Sequence, residues 1–317
     1  MNFCEDFLCI FYILQIIIGN LGNSLLLYIY GSNSLSGQRK KPIHLIFINL
    51  AFSNILVILF RGVPFVIQAC IHKVFFSDIG CKMLVYLQRV SRGLSLGTTC
   101  LMSFFQAITI TSCSAKWAEL KARTSQCTVE SCVFICVLNL LIDVIVPLYV
   151  TASRNSTNIM LNSNLGYCSI NRYALTTLKI VMWKLFYDSV FVVFMAITSG
   201  YMVFVLYRHH QQIQQIHDIS LKSSASPEMR ATKIILFLMI IFVFFYSLSS
   251  SFFIVMDISK ATKQCMIHIS DLFTLCYPTA SPFVLIYSDS QTPSCCNALK
   301  RMKKPYPHPL RSPDKHV

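Results

Sequence analysis

CKMLVYLQRVSRGLSLGTTCLMSFFQAITI, Cys81 to Ile110, is thirty residues without a single acid, and its basic residues are only Lys82, Arg89 and Arg92. An α-helix crosses the roughly 30 Å hydrocarbon core of a bilayer in about 20 predominantly apolar residues. The stretch is long enough to span a membrane, and the two arginines it carries inward are of a type that lipid penalises. Working outward, six further apolar runs of spanning length appear, approximately Phe7 to Tyr30, Ile43 to Cys70, Val129 to Val150, Leu178 to Tyr207, Ala231 to Met256 and Cys265 to Ser288. An open sheet would leave backbone donors unpaired in lipid, and alternating barrel segments of about ten residues are absent. The expected fold is an all-α membrane protein, a seven-transmembrane helix bundle over residues 1–288. A basic, partly disordered cytoplasmic tail is expected over 289–317.

Composition agrees. The 317 residues are 55% hydrophobic and 13% charged, with a mean hydropathy of +0.59, whereas soluble domains are about a quarter charged. The net charge of +14 suggests either nucleic-acid binding or membrane orientation. The basic residues lie between the apolar runs and form no patch interleaved with exposed aromatics, so a nucleic-acid partner is excluded and membrane lipid expected. The first run is long enough to span and lacks a basic leader, so it is read as a span and not as a cleaved signal.

With the amino terminus outside, 16 of the 27 Lys and Arg residues fall in the inner loops and tail, against 7 on the outer side. The positive-inside rule therefore places the amino terminus outside and the tail in the cytosol of a multi-pass plasma-membrane protein. Asn155-Ser156-Thr157, a glycosylation sequon, then falls in the second outer loop, where lumenal transferase reaches it. Cys295 and Cys296, flanked by Leu299, Met302 and four basic residues just past the seventh run, are candidate lipidation sites on a membrane-lying segment.

Most of the fourteen cysteines lie inside apolar runs, where a thiol behaves as a small hydrophobe. Cys81 at the outer start of the third helix and Cys168 in the second outer loop share an oxidising compartment and are expected to be bonded. Cys4, Cys9, Cys70 and Cys265 are available for a second bond that no spacing requires. Metal and enzyme signatures are missing: no His-Glu-x-x-His, no glycine-rich phosphate loop, no close acidic pair. No cofactor and no catalytic residue is expected.

Ionisable groups at membrane depth mark functional sites by default. Arg89 and Arg92 share one helix face, roughly 12 and 16 Å below Cys81 at 1.5 Å per residue. Asp143, Asp188 and Asp271 are their candidate partners, with Arg61 and Lys184 competing. Two uses stay open: the charges pair to hold the bundle together, or Arg89, Arg92, Asp188 and Asp271, with Tyr86, Gln88, Tyr187 and Phe252, line a ligand cavity open to the outside. Asn23 and Asn54 are expected to bond between helices, and Pro147, Pro278 and Pro282 to kink the fourth and seventh helices.

Several blocks together resemble the vomeronasal type 1 receptor family: GNLGNSLLL (Gly19 to Leu27), HLIFINLAFSN (His44 to Asn54), FRGVP (Phe60 to Pro64), DIGCKMLVYLQRVSRGLSLGTTCLMSFFQAITI (Asp78 to Ile110) and SPFVLI (Ser281 to Ile286). The chain departs from the large rhodopsin-like class where that class has its acidic-arginine-aromatic triplet, here Ala107 to Ile110. Asn54 replaces the second-helix acid, and Ser281 to Leu285 replaces the seventh-helix Asn-Pro-x-x-Tyr. No sodium site or ionic lock is carried over. The resemblance implies a G-protein-coupled receptor on vomeronasal sensory neurons, binding a small-molecule pheromone that is volatile or steroid-like. It also implies activation of a heterotrimeric G protein of the inhibitory class. Lys116, Lys121, Arg123, Arg208 and Arg230 are then candidate G-protein contacts, or positive charges facing lipid headgroups. A type 2 bitter taste receptor is the neighbouring alternative. A transporter, which would need inverted repeats and discontinuous helices, is the different-class one.

Overall fold

The computed structural model describes residues 3–35, 42–71, 76–110, 115–152, 162–164, 168–171, 175–216, 227–259 and 264–290. The elements are α1 (Phe3–Leu35), α2 (Pro42–Val57), a π-turn (Ile58–Gly62), α3 (Val63–Ile71), α4 (Asp78–Ile110), α5 (Ala115–Ile142), a 3₁₀ turn (Val146–Tyr149), strands β1 (Val150–Ala152), β2 (Asn162–Asn164) and β3 (Cys168–Asn171), then α6 (Leu175–Ile216), α7 (Pro227–Ser259) and α8 (Gln264–Ser290). Among the described residues seven helices are long and apolar enough to cross a membrane, α2 and α3 forming one span through the π-turn. The protein is a seven-helix membrane bundle.

α4 is its axis. Of its most apolar window 83% is buried, against 17% for α6 and 22% for the fourth span. That explains why α4 tolerates glycines, serines and threonines that would be poor lipid-facing residues. The large apolar residues of the outer helices point the other way: Phe134, Leu141, Phe186 and Ile197 are exposed and belong to the lipid face. Lipid is as apolar as leucine, so packing and interhelical hydrogen bonds must supply the association energy. Asn54 supplies three such bonds. Its Nδ2 donates to Ser281 Oγ (2.9 Å) and Asn23 Oδ1 (3.3 Å), and its Oδ1 accepts from Ser95 Oγ (3.1 Å).

Pro282 has no N–H to give the carbonyl four residues back, that of Pro278. Asn23 Nδ2 donates to that carbonyl at 2.9 Å, so α1 completes the backbone bonding of α8. The fourth span breaks instead of kinking. α5 ends at Ile142, a turn follows, and Pro147 enters the 3₁₀ turn. Tyr86 Oη donates to the Leu140 carbonyl at that helix end (3.0 Å).

Two helix ends lie farthest from the hydropathy reading. α5 starts at Ala115 and α6 continues to Ile216, because apolarity measures what lies in lipid, whereas Ala, Lys, Glu, Arg and Gln carry a helix on into water. Lys116, Lys121, Arg123 and Arg208 are therefore helical and not on loops. The second addition is a small antiparallel sheet, order β1-β3-β2, which the hydropathy reading treats as loop. Its central strand carries Cys168, which is disulfide-bonded to Cys81 of α4. Both sulfurs are buried with Phe65, Val85, Val146 and Val150. Cys9 is also disulfide-bonded.

Close approach of α4 and α5 depends on Gly93. A Cβ there would sit 1.9 Å from Asn139 Oδ1 and 3.1 Å from Lys184 Nζ. Asn139 is fully buried and its Nδ2 is bonded to the Ile135 carbonyl (2.8 Å), so it cannot swing away without stranding a buried amide. Gly93→Ala gains up to about 1 kcal/mol of helix propensity but costs roughly 1–3 kcal/mol of overpacking. The expected result is a lower thermal-unfolding midpoint in detergent; a midpoint equal to or above wild type would contradict the packing.

Candidate functional site

The buried charges close into a ring through four helices. Arg89 Nε of α4 donates to Asp143 Oδ1 just past α5 (2.8 Å), and Lys184 Nζ of α6 donates to Asp143 Oδ2 (3.1 Å). Lys184 lies 3.8 Å from Asp188 Oδ1 one turn along α6. Asp188 Oδ2 accepts a hydrogen bond from the Tyr246 hydroxyl of α7. The Arg92 guanidinium, one turn from Arg89, lies 4.4 Å over the Tyr246 ring and donates to Ser250 Oγ (2.8 Å) and Ser249 Oγ (3.4 Å). Three cations meet two carboxylates, so the ring carries one net positive charge. Asp143 is fully buried and Asp188 nearly so, which makes each carboxylate necessary: a buried ion without its partner costs several kcal/mol.

A second pair lies within electrostatic reach of Arg92. Arg61 of the π-turn is bound to the fully buried Asp271 of α8, its Nε at 2.6 Å from Oδ1. The same widened turn offers the Phe60 carbonyl to Gln88 Nε2 (2.7 Å).

Between α2, α4, α7 and α8 lies a narrow cavity of about 30 Å³. That is room for a water or two, below the roughly 300–1,000 Å³ of small-ligand pockets, so a ligand enters only as the walls part. Its walls are aromatic, chiefly Phe242, Phe245, Tyr246, Phe273 and Tyr277, and its polar groups are Arg92 and the hydroxyls of Ser95, Ser249 and Thr274. The rings are mutually braced. Phe242 meets Tyr277 edge-on (4.5 Å) and stacks on Tyr246 (5.4 Å), while Phe273 stacks against both Phe245 (6.2 Å) and Phe252 (5.8 Å). Among the described residues the lining holds a guanidinium, hydroxyls and π faces, and no carboxylate. The chemistry of that lining is complementary to an apolar group bearing a hydrogen-bond acceptor.

Of the eight ligand candidates, Arg92 lines this cavity and Phe252 stacks on one of its walls. Asp188 stands behind Tyr246, reaching the cavity only through that hydroxyl. Arg89 turns to Asp143, Gln88 to Phe60, Tyr86 to Leu140 and Asp271 to Arg61. Tyr187 lies with its ring 5.0 Å from Lys184 Nζ. Phe242, Phe245, Tyr246, Ser249, Phe273 and Tyr277 were not singled out from the sequence. Tyr246, Ser249 and Ser250 are spaced as one helix face, a polar stripe that the search for charges alone passes over.

At the opposite end of α4 from the disulfide two contacts between described residues are uncharged. Ser103 bonds Thr198 of α6 (2.6 Å) and Gln106 Nε2 donates to Thr232 Oγ1 of α7 (2.7 Å). Arg208 is exposed. The side chains of Lys116, Lys121, Arg123 and Arg230, and all of Asn155, Cys295 and Cys296, lie outside the described residues.

A family model described as the vomeronasal organ pheromone receptor family matches residues 7–298. The chain is 38% identical to human vomeronasal type-1 receptor 4 over 289 residues, covering 90% of this chain and 96% of that one. It is 35% identical to vomeronasal type-1 receptor 1 of Gorilla gorilla gorilla over 299 residues, covering 94% and 84%. A more distant similarity, 28% over 295 residues, joins it to olfactory receptor class A-like protein 1 of Danio rerio, at 91% of each chain.

Proposed function

This chain belongs to the vomeronasal organ pheromone receptor family, and from that premise we propose that the Arg92–Tyr246 cavity binds its ligand and that occupation drives an inhibitory-class G protein. That the protein is a chemosensory G-protein-coupled receptor of the cell membrane, and not an enzyme, follows from the family and the seven spans. The finer reading rests on one observation: a guanidinium held over a tyrosine ring in a narrow, aromatic-walled cavity between the helices.

The ligand is a small, mostly apolar pheromone, volatile or steroid-like, with one acceptor that meets Arg92 and the rest packed against Phe245 and Phe273. The net positive charge of the ring favours an acceptor with negative character. Binding shifts the population of helix arrangements by differential affinity. The cleft so formed for the G protein lies at the Ile110 end of α4, with Lys116, Lys121, Arg123, Arg208 and Arg230 around it. The amino terminus faces outside, which the distribution of 16 of 27 basic residues supports. In that orientation Asn155 is a glycosylation site, residues 289–317 form a cytosolic tail after the receptor domain of residues 1–288, and Cys295 and Cys296 are lipidation sites.

The test is to express the receptor with an inhibitory-class G protein, screen urinary steroids and volatiles, and read cyclic AMP. Any agonist found is then applied to Ser249→Thr, whose added methyl narrows the cavity and keeps the hydroxyl. The expected outcome is a weakened response at surface density near wild type. An undiminished Ser249→Thr response would move the ligand elsewhere.

A further inference from the structure

Tyr246 belongs to two structures at once. Its ring is a wall of the cavity and carries the Arg92 guanidinium, while its hydroxyl is bonded to Asp188 of α6. Asp188 is nearly buried and is itself held, through Lys184 and Asp143, to Arg89 of α4. Any ligand group that engages Arg92 lies against the same ring and displaces either the cation or the ring from its present place. Movement of the ring by about an ångström carries the hydroxyl at the far end of the rigid phenol out of hydrogen-bond reach.

We infer that the Tyr246 hydroxyl is the positioning group that reports cavity occupation to α6: its bond to Asp188 holds α6 and α7 in the arrangement described above, and a group entering the cavity releases it. The inference rests on the cavity being the ligand site, but its consequence is visible without a ligand. A hydrogen bond to a charged acceptor biases a two-state equilibrium by roughly tenfold or more. Removing the hydroxyl therefore raises the released population by about that factor. By reciprocity, an agonist that favours the released arrangement binds the altered receptor more tightly by a similar factor.

Phenylalanine isolates the effect, since it keeps the ring, the Phe242 stack and the face offered to Arg92. Tyr246→Phe, purified in lipid nanodiscs without ligand, is compared with wild type by backbone hydrogen exchange and by basal nucleotide exchange on an added inhibitory-class G protein. The expected result is about tenfold faster amide exchange confined to α6 and α7 around residues 188 and 246, with raised basal nucleotide exchange. Asp188→Ala combined with Lys184→Met removes the acceptor without changing the net charge of the ring and tests the pathway. If the hydroxyl acts through Asp188, adding Tyr246→Phe to that pair changes nothing further; an independent, additive effect overturns the inference. Tyr246→Phe that is indistinguishable from wild type in amide exchange overturns it, as does Tyr246→Phe that fails to fold, because the hydroxyl would then be structural. Should no variant stimulate nucleotide exchange, the coupling proposal fails and amide exchange alone decides the role of Tyr246.

Discussion

Asp143→Ala is expected to abolish surface expression of the receptor. Among the described residues Asp143 is the carboxylate that faces both Arg89 (2.8 Å) and Lys184 (3.1 Å), and it is fully buried. Removing it turns a ring with one surplus positive charge into one with two, in surroundings where solvent cannot screen them. Breaking a buried ion pair from one side costs about 3–5 kcal/mol, a large share of the roughly 5–15 kcal/mol that holds a typical protein folded. Asp143→Asn keeps the shape and an acceptor oxygen but not the charge, so it should fall between. The decisive comparison is Asp143→Ala with Lys184→Met added. If uncompensated charge is the cause, the double variant recovers part of the surface signal in an antibody-binding assay on intact cells; if Asp143 matters only as a filler of space, it recovers none.

That ring shows where sequence reasoning stops. Arg89, Arg92, Lys184, Asp143 and Asp188 were all recognisable as charges at membrane depth, because hydropathy makes each of them an anomaly in its run. Which cation meets which acid depends on helix rotation and on the depth at which each helix enters, and neither leaves a mark in one sequence. The Cys81–Cys168 bond was legible for the opposite reason: topology leaves the two thiols in one compartment, and the sheet that carries Cys168 only refines their approach. The π-turn at Ile58–Gly62 was not legible, since an added residue per turn costs nothing that composition records. Yet it directs Arg61 to Asp271 and exposes the Phe60 carbonyl to Gln88. Tyr246 was hidden differently. In the run Ile241 to Ser250 it reads as one more aromatic among Phe242, Phe244 and Phe245, and only the fold separates Phe244, which faces lipid, from Tyr246, which meets Asp188.

The charge of the ring also separates ligand binding from folding, and Arg92→Met is where the two come apart. Methionine retains a flexible stem of similar reach and drops the guanidinium. The ring is left with two cations and two carboxylates, so no buried charge is stranded, and surface expression should stay near wild type where Asp143→Ala loses it. The cavity, however, loses its guanidinium and the donors now shared with Ser249 and Ser250. A hydrogen bond to a charged group contributes about 1.5–3 kcal/mol, so an acceptor-bearing agonist should need about 10- to 100-fold higher concentration for a half-maximal response. Arg92→Lys keeps the charge without the planar fork that lies on Tyr246 and should fall between the two. Concentration–response curves for cyclic AMP, at matched surface density, give the comparison. A half-maximal concentration unchanged in Arg92→Met would remove the guanidinium from ligand recognition, and loss of the receptor from the surface would mean that Arg92 serves the fold as Asp143 does.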